Sequence, residues 1–220
     1  MSGYSDYGEL MAEWASVYMR PIIENHQKGT LAEPSKHKSF NTIFYGFTEI
    51  SNTFEALKLS EVLVSVSPPR SNRINNDEYI KYLINTYLQD AYILKERLNT
   101  YATKLKRMHE RFARGGLVLA HIDPLFEFVK SSLDGLVNIR GNHVHANRYS
   151  DDELDYVAQM ALISKYNPEH EPHYKFSYKR AQRTWSSRIK SNNEATEKLL
   201  DHYFDNLIKV VKVDGSVFTP

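Results

Sequence analysis

The sequence between residues 76 and 112 reads NDEYIKYLINTYLQDAYILKERLNTYATKLKRMHERF. Its apolar side chains recur alternately every four and every three residues, at Ile80, Ile84, Tyr87, Ala91, Leu94, Leu98, Tyr101, Leu105, Met108 and Phe112. This spacing places them on one face of a helix, which is typical of a bundle helix packed along its whole length. Asn76 or Asp77 can cap its start, and Gly115-Gly116 is expected to end it. We therefore predict one long central helix.

The chain before this helix also has helical apolar spacing. A first helix is predicted from a cap at Ser5 or Asp6, and Pro21 is expected to kink or interrupt it because proline lacks an amide hydrogen. A second helix is predicted from a cap at Ser39. Residues 63–66 at its end also fit a short strand. Two helices are thus expected before the central one.

The chain after the central helix is predicted to form three more helices. Asp123 followed by Pro124 marks the start of the first, which carries apolar positions up to Arg140. Ser150 and Glu153 have the spacing of a capping box for the second. The third is expected from about residue 176 to 211. The remaining segments are predicted to be a link at 117–121, a loop at 166–174, a break at 191–193 and a loose tail at 214–220.

Composition limits the classes of protein and of site. The 220 residues suit one all-α domain, which we divide into a helical extension (1–38), a helical core (39–212) and a tail (213–220). Cysteine is absent, which excludes disulfides and thiolate metal sites. The N-terminus has no signal-peptide pattern and no apolar run is long enough to cross a bilayer. We expect a cytoplasmic protein with no membrane association.

The net charge of +1 gives no general attraction to nucleic acid, but the charge is unevenly distributed. Two basic stretches stand out, at residues 95–114 and 175–190. They are either solvated helix faces, interrupted by acids such as Glu96 and Glu110, or local phosphate-binding patches. The first interpretation is the usual one for mixed-sign helix surfaces.

A cluster of polar side chains follows the predicted fourth helix. Residues 136–149 read LVNIRGNHVHANRY, and we call residues 140–149 the junction. Histidine ordinarily titrates near neutral pH, so His145 is a candidate for the acid or the base when a 2′-hydroxyl of RNA attacks the adjacent phosphorus. Arg140 presents a planar fork of donors that fits phosphate oxygens. The pattern therefore predicts metal-free RNA cleavage.

An all-α bundle in which Arg140 precedes His145 by four intervening residues resembles the HEPN superfamily, and most of all a branch with a long central helix. The resemblance implies a metal-independent endoribonuclease, used in toxin–antitoxin, phage-defence or stress systems, with a site shared across a homodimer. It implies that the substrate is RNA and that no cofactor is needed. It also implies an antitoxin or a defence-system protein as a further partner. It assigns catalysis to Arg140 and His145.

Other junction residues are assigned by the resemblance or by their chemistry. HEPN proteins usually place a polar residue directly after the arginine, and here that position is Gly141. The polar role is therefore open between Asn142 and His143, which are further catalytic candidates. RNA contacts are expected from Asn147, Arg148 and Tyr149. No metal site is expected, because residues two apart on a helix point to different sides and no carboxylate has ligand spacing to the histidines.

Two other interpretations stay open. Arg140 can be a simple cation at a helix carboxyl end, which the helix dipole favours, with the histidines packed against Tyr149. The chain can also be a catalytically silent HEPN-like module that binds RNA, a nucleotide or a protein partner. Whether His143 and His145 face a shared open cleft distinguishes these interpretations from catalysis.

Overall fold

A computed structural model describes residues 2–29, 38–71, 73–112, 114–141 and 149–218, and only the backbone of residues 22, 38 and 137–141. In these ranges the elements are α1 (Gly3–Gln27), α2 (Lys38–Phe40), a π-helical turn (Asn41–Tyr45), α3 (Gly46–Ser65), α4 (Asn76–Glu110), α5 (Gly115–His121), α6 (Asp123–Gly141), α7 (Asp152–Tyr166), a 3-10 turn (Pro168–His170), α8 (Glu171–Val211), β1 (Lys212–Val213) and β2 (Ser216–Val217). The all-α helical bundle is therefore confirmed.

The long helix predicted from the apolar spacing is α4. Its apolar positions are buried from Ile80 to Leu105. The buried row continues at His109 rather than at Met108, and Phe112 lies beyond the helix and is half exposed. The helix ends before Gly115, where the sequence predicted its stop, because the amides of Phe112 and residue 114 turn back to the carbonyl of His109. The two glycines and the predicted link after them instead form α5.

The first helix begins earlier than predicted. Ser2 is its cap and accepts a hydrogen bond from the amide of Ser5 at 3.4 Å, so neither Ser5 nor Asp6 has that role. Pro21 lies inside α1, which continues to Gln27. Its missing amide hydrogen therefore does not interrupt the helix.

Two boundaries around α2 and α3 also differ from the predictions. Ser39 lies within α2 and does not cap it. A π-helical turn joins α2 to α3, and residues 63–65 continue α3 as helix, so the alternative strand at its end is wrong. The sequence, with Pro34, also predicts a loop at 31–38, and this segment lies outside the described residues except for the backbone of Lys38.

Tertiary contacts correct the predictions for the C-terminal part. The predicted loop at 166–174 holds the 3-10 turn and the first residues of α8. The predicted break in α8 is wrong, because Asn193 is buried and its amide donates to the Leu57 carbonyl at 3.2 Å and to Glu61 at 2.8 Å. Residues 212–217, which include the start of the predicted tail, form the β1–β2 hairpin, with Lys212 opposite Val217. Val217 is buried, so the hairpin is packed and not loose.

Contacts group the chain into two compact units, whereas the division into an extension, a core and a tail stays a prediction. Unit 1 comprises Met1–Asn52, Leu94–Ser132 and Thr196–Pro220, and unit 2 comprises Thr53–Ile93 and Leu133–Ala195.

The core of unit 1 is rich in tyrosine. The hydroxyls of the buried Tyr7 and Tyr101 lie 2.6 Å apart, and Tyr101 donates to the carbonyl of Ile43 at 3.0 Å. Tyr7 must therefore be the donor to Tyr101, since the single proton of Tyr101 is used. This chain of hydrogen bonds ties α1 and α4 to the π-helical turn.

Gly46, the first residue of α3, lies against the ring of Tyr101. A methyl group built there would overlap two ring atoms of Tyr101, whose hydroxyl is held on both sides. Gly46→Ala should therefore lower the free energy of unfolding by about 1–2 kcal/mol, because overpacking outweighs the better helix propensity of alanine. Urea unfolding monitored by circular dichroism measures this change.

Gly135→Ala is the matched control. Gly135 lies within α6, and an added methyl group there meets no atom within 4 Å. This replacement should leave stability unchanged or raise it by up to about 1 kcal/mol. Equal stability of the two variants would mean that the Tyr101 ring is not held as described.

Candidate functional site

The junction begins at the carboxyl end of α6. Asp123 opens that helix, as the sequence predicted, and Leu125, Val129 and Leu133 are buried along it. Arg140 is its penultimate residue, so its backbone is helical and stands in the last turn. The structure describes the backbone of Arg140 and not its side chain.

Most of the predicted site residues lie outside the described residues. These are Asn142, His143, His145, Asn147 and Arg148. Their assignments, and the question of whether the two histidines share a cleft, therefore stay predictions. The structure describes only the two ends of the junction, at Arg140 and Tyr149.

The described chain resumes at Tyr149, where the side chain of Asn85 from α4 holds the backbone. The amide of Tyr149 donates to Asn85 Oδ1 at 2.9 Å, and Asn85 Nδ2 donates to the Tyr149 carbonyl at 3.2 Å. Asn85 Nδ2 also donates to the carbonyl of Lys81 at 2.8 Å, which fixes the amide on α4. Asn85 thus acts as a substitute for a backbone partner and positions the end of the junction.

Side chains of α8 pack on Tyr149. Its ring meets the ring of the buried Trp185 edge to face, with centroids 5.5 Å apart. The guanidinium of Arg188 lies over Trp185 at 5.1 Å and donates to Asp151 Oδ2 at 3.2 Å. The Tyr149 hydroxyl donates to the same carboxylate oxygen at 3.4 Å. These contacts fix the chain just before α7, and the RNA-binding role of Tyr149 stays a prediction.

The environment of Tyr149 keeps its hydroxyl protonated. Burial, followed by the negative charge of Asp151, raises the pKa of Tyr149 to about 12, although Arg188 opposes the shift. At neutral pH Tyr149 is therefore a hydrogen-bond donor and not a base. Tyr149 is therefore unsuited to be the base in the predicted reaction.

The cap of α7 is Asp151 and not Ser150. The Asp151 side chain accepts from the amide of Leu154 at 2.9 Å, whereas the Ser150 hydroxyl donates to Asp155. Asp151 is the cap because its carboxylate also accepts hydrogen bonds from Tyr149 and Arg188. A serine hydroxyl has fewer acceptor lone pairs than a carboxylate and cannot accept all of these hydrogen bonds. One carboxylate thus links the junction, the start of α7 and α8.

The two basic stretches are partly paired with acids. In unit 1, Lys106 lies 2.6 Å from Asp123, and Arg97 pairs with Glu49. In unit 2, Lys175 pairs with Glu171 at 2.8 Å. This pairing favours solvated, mixed-sign helix surfaces over continuous phosphate-binding patches.

Sequence reasoning missed Asn85 and a cleft beside α7. Asn85 is a polar residue next to the apolar Ile84 on α4, and no local signal links it to Tyr149, which lies 64 residues away. The cleft has a volume of about 580 Å³ and lies in unit 2, with the exposed rings of Tyr156 and Phe176 in its lining. Both rings occupy helix positions that look like ordinary surface in the sequence.

Replacing Asn85 by alanine should slow the RNA cleavage that the sequence predicts, because the junction loses the two hydrogen bonds from Asn85 that fix Tyr149 at its end. Misplacing reacting groups by about 1 Å can cost on the order of 10²-fold in rate, so we expect a loss of roughly 10- to 100-fold in kcat. The lost hydrogen bonds should lower stability by only about 1–2 kcal/mol. Single-turnover cleavage of a labelled RNA measures the rate.

Asn75→Ala is the control for this replacement. Asn75 is exposed just before α4 and its side chain donates to Glu78 at 3.1 Å and not to Tyr149, so its loss removes an amide that does not hold the junction. It should cleave RNA at the wild-type rate. If Asn85→Ala is as fast as Asn75→Ala, Asn85 does not position the site.

No family model, characterised protein or solved structure significantly matches this chain. Within the described ranges no helix is long and apolar enough to cross a membrane. Among the same residues no group of three or more histidine, aspartate or glutamate side chains is arranged to hold a metal ion.

Proposed function

We propose that this chain is a metal-independent endoribonuclease of the HEPN type, with Arg140 and His145 as its central pair. The observation that carries the proposal is the place of Arg140 in an all-α fold. It stands in the last turn of α6, and four residues separate it from His145. The chain then returns at Tyr149 to a backbone fixed by Asn85. A short segment held at both ends is a suitable carrier for reacting groups.

The proposed reaction is a transfer of phosphate within the RNA. The 2′-oxygen attacks the adjacent phosphorus while a base removes its proton, and the bond from phosphorus to the 5′-oxygen breaks. An acid gives a proton to the leaving 5′-oxygen, so the products carry a 2′,3′-cyclic phosphate and a 5′-hydroxyl. His145 performs one of the proton transfers, and Arg140 binds the phosphate oxygens.

The other predicted residues have supporting roles in this proposal. Asn142 and His143 hold the phosphate or the 2′-hydroxyl, or His143 supplies the second proton transfer. Asn147, Arg148 and Tyr149 bind the RNA on either side of the cut. No cofactor takes part, and an antitoxin or defence-system protein is the proposed regulatory partner in the cytoplasm.

The proposed active form is a homodimer in which the two junctions face each other. One junction offers one arginine of the motif and two histidines within a few residues of each other, whereas in-line cleavage needs the acid and the base on opposite sides of one phosphate, which two facing junctions supply. We therefore expect cleavage per subunit to fall on dilution below the dimer dissociation constant. Light scattering together with activity across a dilution series tests this. A strictly monomeric species with full activity would rule out the composite site.

A silent binding module is the second candidate. It is favoured by the contacts of Tyr149 and Arg188, whose polar groups are both bound to Asp151. A purified protein that binds RNA but leaves it intact in every condition would support this candidate. Cleavage in the presence of a chelator, lost in Arg140→Lys, supports the endoribonuclease, because lysine keeps the charge and loses the bidentate fork.

A further inference from the structure

The cleft between α7 and α8 has the size of a small-molecule site. Its volume of about 580 Å³ lies within the roughly 300–1,000 Å³ that ligand pockets usually have. It lies entirely in unit 2, and Asp152 in its lining is only three residues after Tyr149. A ligand in this cleft would therefore lie on the part of the fold that directly follows the junction.

Two aromatic rings of this cleft are open to solvent. Phe176 is 70% exposed and Tyr156 is 52% exposed. Neither ring packs against another aromatic ring within the described ranges, in contrast to the aromatic core of unit 1. Exposed rings in a concave site are suited to stacking on the face of a planar ligand.

The charged groups of the cleft differ in how they are engaged. Glu153 accepts from Thr184 at 3.4 Å and pairs with Nε of Arg180 at 3.3 Å. Arg180 is 72% exposed at its side chain, so its guanidinium is accessible to a ligand. The carboxylate of Asp152 has no hydrogen-bond or ion-pair partner in the described part of the chain. An exposed carboxylate, unpaired among the described residues, and an accessible guanidinium thus accompany the two rings.

We propose that this cleft binds an unpaired guanine base. Guanine alone among the four bases offers two adjacent donors, N1–H and N2–H, to a single carboxylate such as Asp152, and its O6 and N7 accept from an arginine such as Arg180. The flat base stacks on Phe176 or Tyr156. The proposal rests on the proposed function in one respect: the guanine belongs to an RNA nucleotide next to the cut. A free guanine mononucleotide presents the same chemistry.

Binding of oligonucleotides that cannot be cut tests the proposal. Four short oligoadenosine RNAs are made with 2′-O-methyl groups throughout, and they differ only in the central base, which is G, C, U or A. They cannot be cut, because cleavage needs a free 2′-hydroxyl. Fluorescence anisotropy with the intact protein should show the G oligonucleotide bound about tenfold more tightly than the others. Competition with guanosine monophosphate shows whether the base alone, or only the strand, fills the cleft.

Three variants separate the contributions of the cleft. Phe176→Ala should weaken binding of the G oligonucleotide about tenfold, because stacking is lost. Asp152→Asn should bind all four oligonucleotides alike. Tyr166→Ala is the control, since Tyr166 is a 72% exposed ring on the same helix as Tyr156 but outside the lining residues, and it should bind like wild type.

The outcomes for the cleft and for the proposed function are distinguishable. Equal binding of the four oligonucleotides by wild type, or unchanged binding by Phe176→Ala, overturns the guanine site even if RNA is cleaved. A guanine preference that Asp152→Asn abolishes, together with weaker binding by Phe176→Ala, supports the site even if no RNA is ever cleaved, in which case only the ribonuclease proposal fails.

Discussion

Replacing His145 by alanine should lower the rate of RNA cleavage by about 10²–10⁴-fold, because a positioned proton-transfer group contributes a factor of that size. The fold should not change, since the replacement leaves every residue of α6 (Asp123–Gly141) and α7 (Asp152–Tyr166) unaltered. The measurement is single-turnover cleavage of a labelled RNA, with circular dichroism of the same samples. Arg140→Lys should also cleave more slowly, with its charge retained.

His170→Ala is the matched control for His145→Ala. His170 lies in the 3-10 turn before α8, has a side chain 41% exposed and lies 3.6 Å from Glu169. Its replacement removes an imidazole of the same unit without touching the junction, and cleavage should proceed at the wild-type rate. Full activity in His145→Ala would mean that His145 is not the proton-transfer group.

The second large effect is a loss of stability at acid pH through His109. This side chain is fully buried, its ring centroid lies 5.5 Å from that of Phe218, and neither ring nitrogen has a hydrogen-bond partner in the described ranges. Burial, together with the nearby positive charge of Arg114, lowers the pKa of His109 to about 4. The imidazole is thus neutral in the folded protein at neutral pH.

The pH dependence follows from the direction of this shift. An unfolded histidine has a pKa of about 6.5, so between this value and about 4 the unfolded chain binds a proton that the folded chain does not. As pH falls through that window, the free energy of unfolding should therefore fall, by up to roughly 3 kcal/mol. Below about pH 4 this contribution stays constant.

His109→Leu should remove this part of the pH dependence. Urea unfolding at several pH values gives the difference between variant and wild type, which should grow in favour of the variant as pH falls below about 6.5. His26→Leu replaces an exposed histidine near the end of α1 and should follow the wild-type curve. A constant difference between His109→Leu and wild type at all pH values would contradict the account.

The elements predicted best are those with strong local signals. The alternating apolar spacing of α4 was sufficient to place that helix, and Asp123-Pro124 placed the start of α6. Both signals depend on residues close in sequence. Such a pattern identifies a helix because the apolar residues that recur at helical spacing also form its buried face.

The boundaries predicted wrongly were decided by distant contacts. Asn193 looked like a helix breaker, but hydrogen bonds to Leu57 and Glu61 satisfy its amide inside α8. Ser150 looked like a cap, but Asp151 has three partners there. The hairpin after α8 is the exception, because its Asp214-Gly215 turn, with positive φ at both residues, is a local signal that the prediction of a loose tail overlooked.

The residues of the candidate site also fall into two groups, those that the sequence identifies and those that only the fold brings together. The arginine, the histidines and their spacing are visible in the sequence, because they lie within a few residues of each other. Asn85 and the rings of Tyr156 and Phe176 are not visible as site residues, since only folding brings Asn85 to Tyr149 and opens a cleft between α7 and α8. Tertiary proximity, rather than residue type, identifies them.

Cleavage of two matched substrates in the presence of a chelator tests the central claim most directly. The wild-type protein is incubated with EDTA and either a labelled RNA or the same sequence with 2′-O-methyl groups throughout. Attack by the 2′-oxygen predicts that only the RNA is cut, leaving a 2′,3′-cyclic phosphate on one product and a 5′-hydroxyl on the other. Intact RNA, loss of cleavage on chelation, or equal cutting of both substrates would contradict a metal-independent site at Arg140 and His145.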